Sequence, residues 1–226
     1  MKKQIRIAII GDYNFTFNSH HATNLSLDHA SYFLEIEISY YWIKLHEATS
    51  LSSNQLKGYD GVWISSGPYK NEFLLSGIIE LLTHYNLPVL ITGEGFKRFF
   101  ELLISKKNLS ANGEKLISEN LISNSTFDKI ELIPHSNALI QLYKNHNKIE
   151  LTTTRYSLYP SLLKNLTQET IQIEAYNEFE DVEIVSLNNK NFFVVCGYCP
   201  QISSTRDIPH PLIYTFIKAC YVIEES

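Results

Sequence analysis

The strongest constraint on this chain is a set of short apolar runs, each stopped by a glycine turn. Ile5 to Ile10, interrupted only by Arg6, ends at Gly11-Asp12. Val62-Trp63-Ile64 ends before Gly67-Pro68, and Leu87 to Ile91 ends at Thr92-Gly93-Glu94-Gly95. Short apolar runs of this kind, bounded by turn residues, read as parallel strands buried on both faces. Between them the spacing turns helical: His21 to Leu34 repeats Leu25, Leu27, Ala30, Phe33 and Leu34, while Glu72 to Tyr85 and Phe96 to Ile104 carry broad apolar faces. Ile36 to Ile43 alternates apolar with polar positions and reads as a further strand. The first hundred residues therefore read β-α-β-β-α-β-α, the pattern of a doubly wound sheet. Ligands of such sheets bind beyond the carboxyl ends of the strands, so the turns at Gly11, Ser65 to Tyr69, Thr92 to Gly95 and Cys199 to Gln201 are expected to share one edge.

After Ser105 the chain becomes polar. Strand candidates follow at Ile130 to Ile133, Leu139 to Tyr143 and Ile149 to Thr154, which read as a small β meander beside the main sheet. Ile171 to Tyr176, Val182 to Leu187 and Phe192 to Tyr198 are further strands, and Pro211 to Ile223 a closing helix. No repeat or low-complexity linker divides the chain, so residues 1–226 are read as one domain. Its 226 residues suffice for a sizeable core without disulfide or metal.

The formal charge of -5 gives no general attraction to phosphate backbones or anionic lipid. No nucleic-acid or membrane partner is expected. The N-terminal apolar run is too short for a signal peptide, and no run approaches the ~20 residues needed to cross a bilayer. The expected location is cytoplasmic, with the three cysteines reduced.

Read together, the glycine turns resemble the class I glutamine amidotransferase family, in particular the amidotransferase domain of CTP synthase and its stand-alone bacterial relatives. Ile7-Ala8-Ile9-Ile10-Gly11-Asp12-Tyr13 looks like the family's first strand. Tyr59-Asp60-Gly61-Val62-Trp63 with Ser65-Ser66-Gly67-Pro68-Tyr69 is similar to the strand and loop that supply half of the oxyanion hole. Pro88 to Phe96 matches the strand and elbow, normally Gly-x-Cys-x-Gly. Arg155-Tyr156-Ser157-Leu158-Tyr159 resembles a glutamine-binding Arg-Tyr-Glu-Val-Asn segment, and Cys199-Pro200-Gln201 falls where the family has His-Pro-Glu. The resemblance runs nearly end to end and implies a flavodoxin-like three-layer α/β sandwich.

In such an amidase a cysteine attacks the glutamine amide, a histidine moves protons, a glutamate orients it, and two backbone N–H groups hold the oxyanion. The corresponding positions here are Gly93, Cys199 and Gln201. Glycine offers no nucleophile, a thiol replaces the proton-shuttling imidazole, and an amide cannot stabilise an imidazolium by charge. Glycine does suit the positive φ of an elbow, so the turn is expected to survive with the Glu94 N–H pointing into a pocket. Ser66, Gly67, Tyr69, Glu94, Arg155, Tyr156, His20 and His21 are the candidate pocket residues, and Lys97 alters the pocket's charge.

Other motifs have plainer readings beside their functional ones. Cys196-Gly197-Tyr198-Cys199 matches a redox or zinc half-site, but Cys196 lies inside an apolar run, as a core cysteine would, with Cys199 partly exposed. Of His20 and His21, one caps the following helix and the other is solvated, or they join Glu94 and Cys199 in a relocated site. Asp12 stabilises a turn or accepts from a ligand. His210-Pro211 reads as the residue pair that opens the last helix. No metal or cofactor is expected.

The favoured expectation is a degenerate amidotransferase-like protein that keeps a cleft for a small molecule or a protein partner. One alternative is an enzyme with a relocated active site at Glu94, His20 or His21 and Cys199. Another is a pure interaction subunit with a closed cleft. An oligomer is compatible with each.

Overall fold

A computed structural model describes residues 4–110, 113–120 and 127–222. The first half runs β1 (Gln4–Ile10), α1 (Asn18–Leu34), β2 (Glu37–Ile43), two single-turn helices α2 (Leu45–Ala48) and α3 (Ser53–Leu56), β3 (Gly61–Ile64), α4 (Phe73–Thr83), β4 (Val89–Thr92) and α5 (Gly95–Lys106). The second half continues with β5 (Ile117–Asn120), β6 (Asp128–Pro134), α6 (Asn137–Leu142), β7 (Ile149–Thr152), β8 (Arg155–Leu158), α7 (Pro160–Leu166), β9 (Ile171–Asn177), β10 (Val182–Leu187), β11 (Phe193–Cys196), α8 (Pro200–Ser203) and α9 (Pro211–Val222).

The main sheet has the order β2-β1-β3-β4-β11-β10-β9-β6-β7. From β2 to β11 every pair is parallel, and from β11 to β7 every pair is antiparallel. The apolar runs occupy the parallel half because strands there are covered on both faces. Alternation along β1 sends Ile5, Ile7 and Ile9 to one face, where they meet Leu27 and Ala30 of α1 and Ile213, Phe216 and Ile217 of α9. Ala8 and Ile10 face the other way, against Ile78, Ile79 and Leu82 of α4 and Phe99 and Leu103 of α5. The result is the expected three-layer α/β sandwich.

Two expectations for the second half need revision. Leu139 to Tyr143 is helical, not extended: Ser136 caps α6 by accepting the Leu139 N–H at 3.2 Å, and Leu139 and Tyr143, four apart, point inward together while Ile140 is exposed. The added strands β6 and β7 extend the main sheet through β9, and only β5 and β8 form a separate two-stranded ribbon. The closing helix begins at Pro211 as expected, and residue 223 lies outside the described residues. Among the described residues no helix is long and apolar enough to cross a membrane.

Candidate functional site

The four glycine-rich turns meet at the carboxyl edge of the parallel strands. The Gly11 N–H binds the Ile43 carbonyl, the Ser65 N–H the Ile10 carbonyl, and the Gly93 N–H the Tyr198 carbonyl, which stitches neighbouring strand ends together. Gly93 sits at φ +59, so the elbow geometry is present and glycine occupies it without a side-chain penalty. The space around it is filled. A Cβ at residue 93 would lie 2.8 Å from both Cβ and the carbonyl oxygen of Ser66. The Glu94 N–H does not point into an open pocket as expected, since it donates to that same Ser66 carbonyl at 3.2 Å.

A chain of side chains fixes Ser66 there. Trp63 Nε1 donates to Thr92 Oγ1 at 3.1 Å, and the Thr92 hydroxyl donates to the Ile64 carbonyl at 3.2 Å. That leaves Ser66 Oγ to donate to Thr92 at 2.9 Å and to accept from Gln201 Nε2 at 2.6 Å. Gln201 is buried at the start of α8, and its Oε1 has no hydrogen-bond partner among the described residues. Tyr69 donates its hydroxyl to the Ser65 carbonyl, which holds the next residue of the loop.

His20 is a third clamp on this loop. Its Nδ1 accepts the Asn14 N–H at 3.0 Å, so the ring proton sits on Nε2 and is donated to the Gly67 carbonyl at 2.9 Å. Burial holds the imidazole below its usual pKa, against the pull of the Gly67 bond and of Asp12. His20 therefore does not reach Glu94 or Cys199, and His21 is exposed on α1. Asp12 joins two loops by accepting the Lys70 N–H at 3.1 Å.

Glu94 is half-buried beside Gly67, and among the described residues its carboxyl makes no hydrogen bond or ion pair. The nearby cations are already engaged: Arg98 with Glu72 and Glu101, and Lys97 with Glu119 at 3.0 Å. Burial, and then repulsion by Glu72 and Glu119, push the Glu94 carboxyl up to about 7, with Arg98 and Lys97 opposing. Cys199 is fully buried, where partial exposure was expected, because its N–H is tied to the Leu151 carbonyl at 2.8 Å. Burial raises its thiol to about 11 despite hydrogen bonding with Ser66 and Thr153. Tyr156 is buried and stacks on Phe96 at 6.2 Å, while Arg155 lies over the Phe179 ring at 4.3 Å and 3.9 Å from Asp128. Cys196 is a core residue of β11.

No family model matches the chain. The CTP synthase of Lactococcus lactis subsp. lactis is 23% identical over 255 aligned positions, covering 96% of this chain and 45% of that protein. The CTP synthase of Methanosphaera stadtmanae is 24% identical, with 96% and 44% covered. The CTPS glutaminase domain of Trypanosoma brucei with bound acivicin superposes with a TM-score of 0.76 at 16% identity, over 96% of this chain and 94% of that one. The chain is thus similar to CTP synthases in sequence and shares the fold of the CTPS glutaminase domain. It spans less than half the length of these CTP synthase relatives.

The site residues divide by what holds them. Ser66, Gly67, Tyr69 and His20 are tied into the elbow, Tyr156 into the core, and Arg155 onto Asp128 and Phe179; Glu94 keeps a free carboxyl, and His21 faces solvent. Thr92 was legible in sequence only as a turn residue, and Trp63 only as an apolar one. Their roles as polar links to Ser66 appear only when β3 and β4 are paired.

Proposed function

We propose that this chain is a catalytically degenerate glutamine amidotransferase-like protein, whose edge cleft binds a small molecule or a protein partner and does not hydrolyse glutamine. The observation that supports the loss of glutamine hydrolysis is the closure of the elbow by Ser66. The Glu94 N–H, the donor that an oxyanion would need, is occupied by the Ser66 carbonyl. The volume that a nucleophile's Cβ would take is filled by the same residue. Cys199 and Gln201 support it: the first is a buried thiol that stays protonated at neutral pH, and the second is a neutral amide whose donor is engaged with Ser66. The reading keeps the cytoplasmic location expected from the sequence.

A glutaminase assay with the purified full chain tests this. The expected result is no ammonia release above background, both for the native chain and for Gly93→Cys combined with Cys199→His and Gln201→Glu. Turnover by the native chain that is lost in Cys199→Ala would overturn the reading. A thermal-shift screen with glutamine, glutamate and nucleotides then looks for the cleft's ligand, since a ligand specific for the folded state raises the melting midpoint.

One observation favours a second reading, an enzyme with a relocated active site. A carboxyl raised to about 7, as Glu94 is, suits a general acid or base at neutral pH. Against it, both His20 ring nitrogens are committed and His21 faces solvent, so Glu94 lacks a proton-transfer partner.

A further inference from the structure

The two edges of the main sheet end differently. At one edge β7 is covered, since the Cys199 N–H at the start of α8 donates to the Leu151 carbonyl at 2.8 Å. At the other edge β2 pairs on one side only, with β1. The Gly11 N–H binds the Ile43 carbonyl, which fixes the phase of the strand. Glu37, Ser39, Tyr41 and Ile43 turn their backbone groups toward β1, and Ile38, Tyr40 and Trp42 turn theirs outward. Among the described residues no other strand reaches them.

This free stretch is closed at both ends. The Ile36 N–H donates to the Ser31 carbonyl at 3.2 Å, and its carbonyl accepts from Ser31 Oγ at 2.7 Å. The Lys44 N–H donates to Glu47 Oε2 at 3.3 Å, and its carbonyl accepts from the Glu47 and Ala48 N–H groups. What remains, Ile38 to Trp42, is centred on Tyr40.

Sheets commonly guard such an edge with lysine, proline or a bulge. The sequence of β2, Glu-Ile-Ser-Tyr-Tyr-Trp-Ile, holds no proline, glycine or basic residue, and its pairing with β1 runs in unbroken register. The strand is also anchored. Ile38, Tyr40 and Trp42 pack against the core under α1 and α9, and Trp42 Nε1 donates to Asn24 Oδ1 at 2.8 Å.

Charge indicates what fits there. A concavity of about 790 Å³ lies at the start of β2, walled by Glu35 and Glu37 together with Tyr32, Phe33 and Ile36. Exposed Lys44 stands at the other end of the same strand. In an antiparallel pair of copies with Tyr40 opposite Tyr40, Ile38 faces Trp42, and Lys44 of each copy falls opposite Ile36 of the other, between Glu35 and Glu37. Sliding this register by two residues either way would leave one outward residue of each copy unpaired.

We propose that β2 pairs antiparallel with β2 of a second copy of this chain, centred on Tyr40, to form a two-fold dimer with one continuous sheet. Three facing pairs exchange two backbone bonds each, and Lys44 enters the acidic concavity at both ends. The inference uses no residue of the elbow and stands apart from the amidotransferase reading.

Sedimentation velocity of the full chain across the micromolar range tests it, and a concentration-dependent dimer is expected. Tyr40→Pro removes an outward N–H and no bond to β1, so it should abolish the dimer while the native circular dichroism spectrum is kept. Because proline there also deletes a half-buried ring, charge variants on the surface form a second arm. Lys44→Glu should raise the dimer Kd by roughly 10-fold, the worth of two exposed ion pairs turned repulsive. Adding Glu37→Lys to it should recover most of that loss. A native chain that stays monomeric would overturn the proposal and leave the edge to a strand of a different protein. A dimer indifferent to both Tyr40→Pro and Lys44→Glu would overturn it as well, as would a Lys44→Glu defect that Glu37→Lys deepens.

Discussion

The elbow at Gly93 and the cluster at Glu150 are both buried polar networks at strand ends, but they differ in what their hydrogen bonds enclose. At the elbow, Trp63, Thr92, Ser66 and Gln201 form a neutral chain that draws a loop onto the position of a reacting side chain. At Glu150, three donors converge on a carboxylate and leave a cavity alongside. Neutral links close space because each partner satisfies the next at contact distance. At Glu150 the donors instead enclose one ionisable group, which is 1% exposed and depends on them in place of water.

The largest effect should come from removing the charged centre. Glu150→Ala leaves His210, Tyr143 and Ser203 without their acceptor and is expected to cost about 3–5 kcal/mol in urea denaturation. A loss below about 1 kcal/mol, no more than one ordinary hydrogen bond, would mean that the cluster is solvated and the contrast is unfounded. Gly93→Cys comes next. It places a side chain at φ +59 against the Ser66 backbone, and strain plus overpacking should cost about 2–4 kcal/mol. If that variant is as stable as the native chain and reacts with iodoacetamide, the elbow opens in solution and its closed character is lost. Ser66→Ala removes the link between Thr92 and Gln201 and should cost about 1–3 kcal/mol in the same assay. A neutral result there would show that the loop is held by backbone contacts alone.

Sequence carried the parallel half almost completely, because buried strands such as Ile5 to Ile10 and Val89 to Ile91 advertise themselves through unbroken apolar runs and glycine stops. It carried the location of the elbow for the same reason. The antiparallel half was less legible. Leu139-Ile140-Gln141-Leu142 suits a strand or a helix by composition, and only the Ser136 cap decides for the helix. The contents of the site were hardest to read, since closure depends on contacts between Ser66 and Gln201, 135 positions apart. His210 was visible as a helix-opening residue, but its partner Glu150 lies 60 positions earlier with no spacing rule to connect them. Likewise nothing in the sequence marks Glu183, a buried carboxyl that accepts from Asn177 at 2.8 Å and is pushed up to about 8, chiefly by burial.

The smallest effect should arise at Glu94, where the two regions can be compared by pH. Its carboxyl has a folded-state pKa of about 7 against an ordinary 4.5, so between these values the folded chain binds the extra proton and stability falls as pH rises. Below pH 4.5 the carboxyl is protonated in both states and contributes no penalty; above about 7 it is ionised in both and the penalty is complete. Glu94→Gln should therefore leave stability unchanged near pH 4 and raise it at pH 8. The gain should be on the order of 1 kcal/mol after allowance for the screening of a half-exposed group. Urea denaturation at the two pH values measures it. A gain of the same size at both would assign the effect to packing, and a loss at pH 8 would mean that the Glu94 carboxylate has a stabilising partner in solution. Either result would remove the raised carboxyl from the elbow, and with it the chemical basis for a relocated acid or base there.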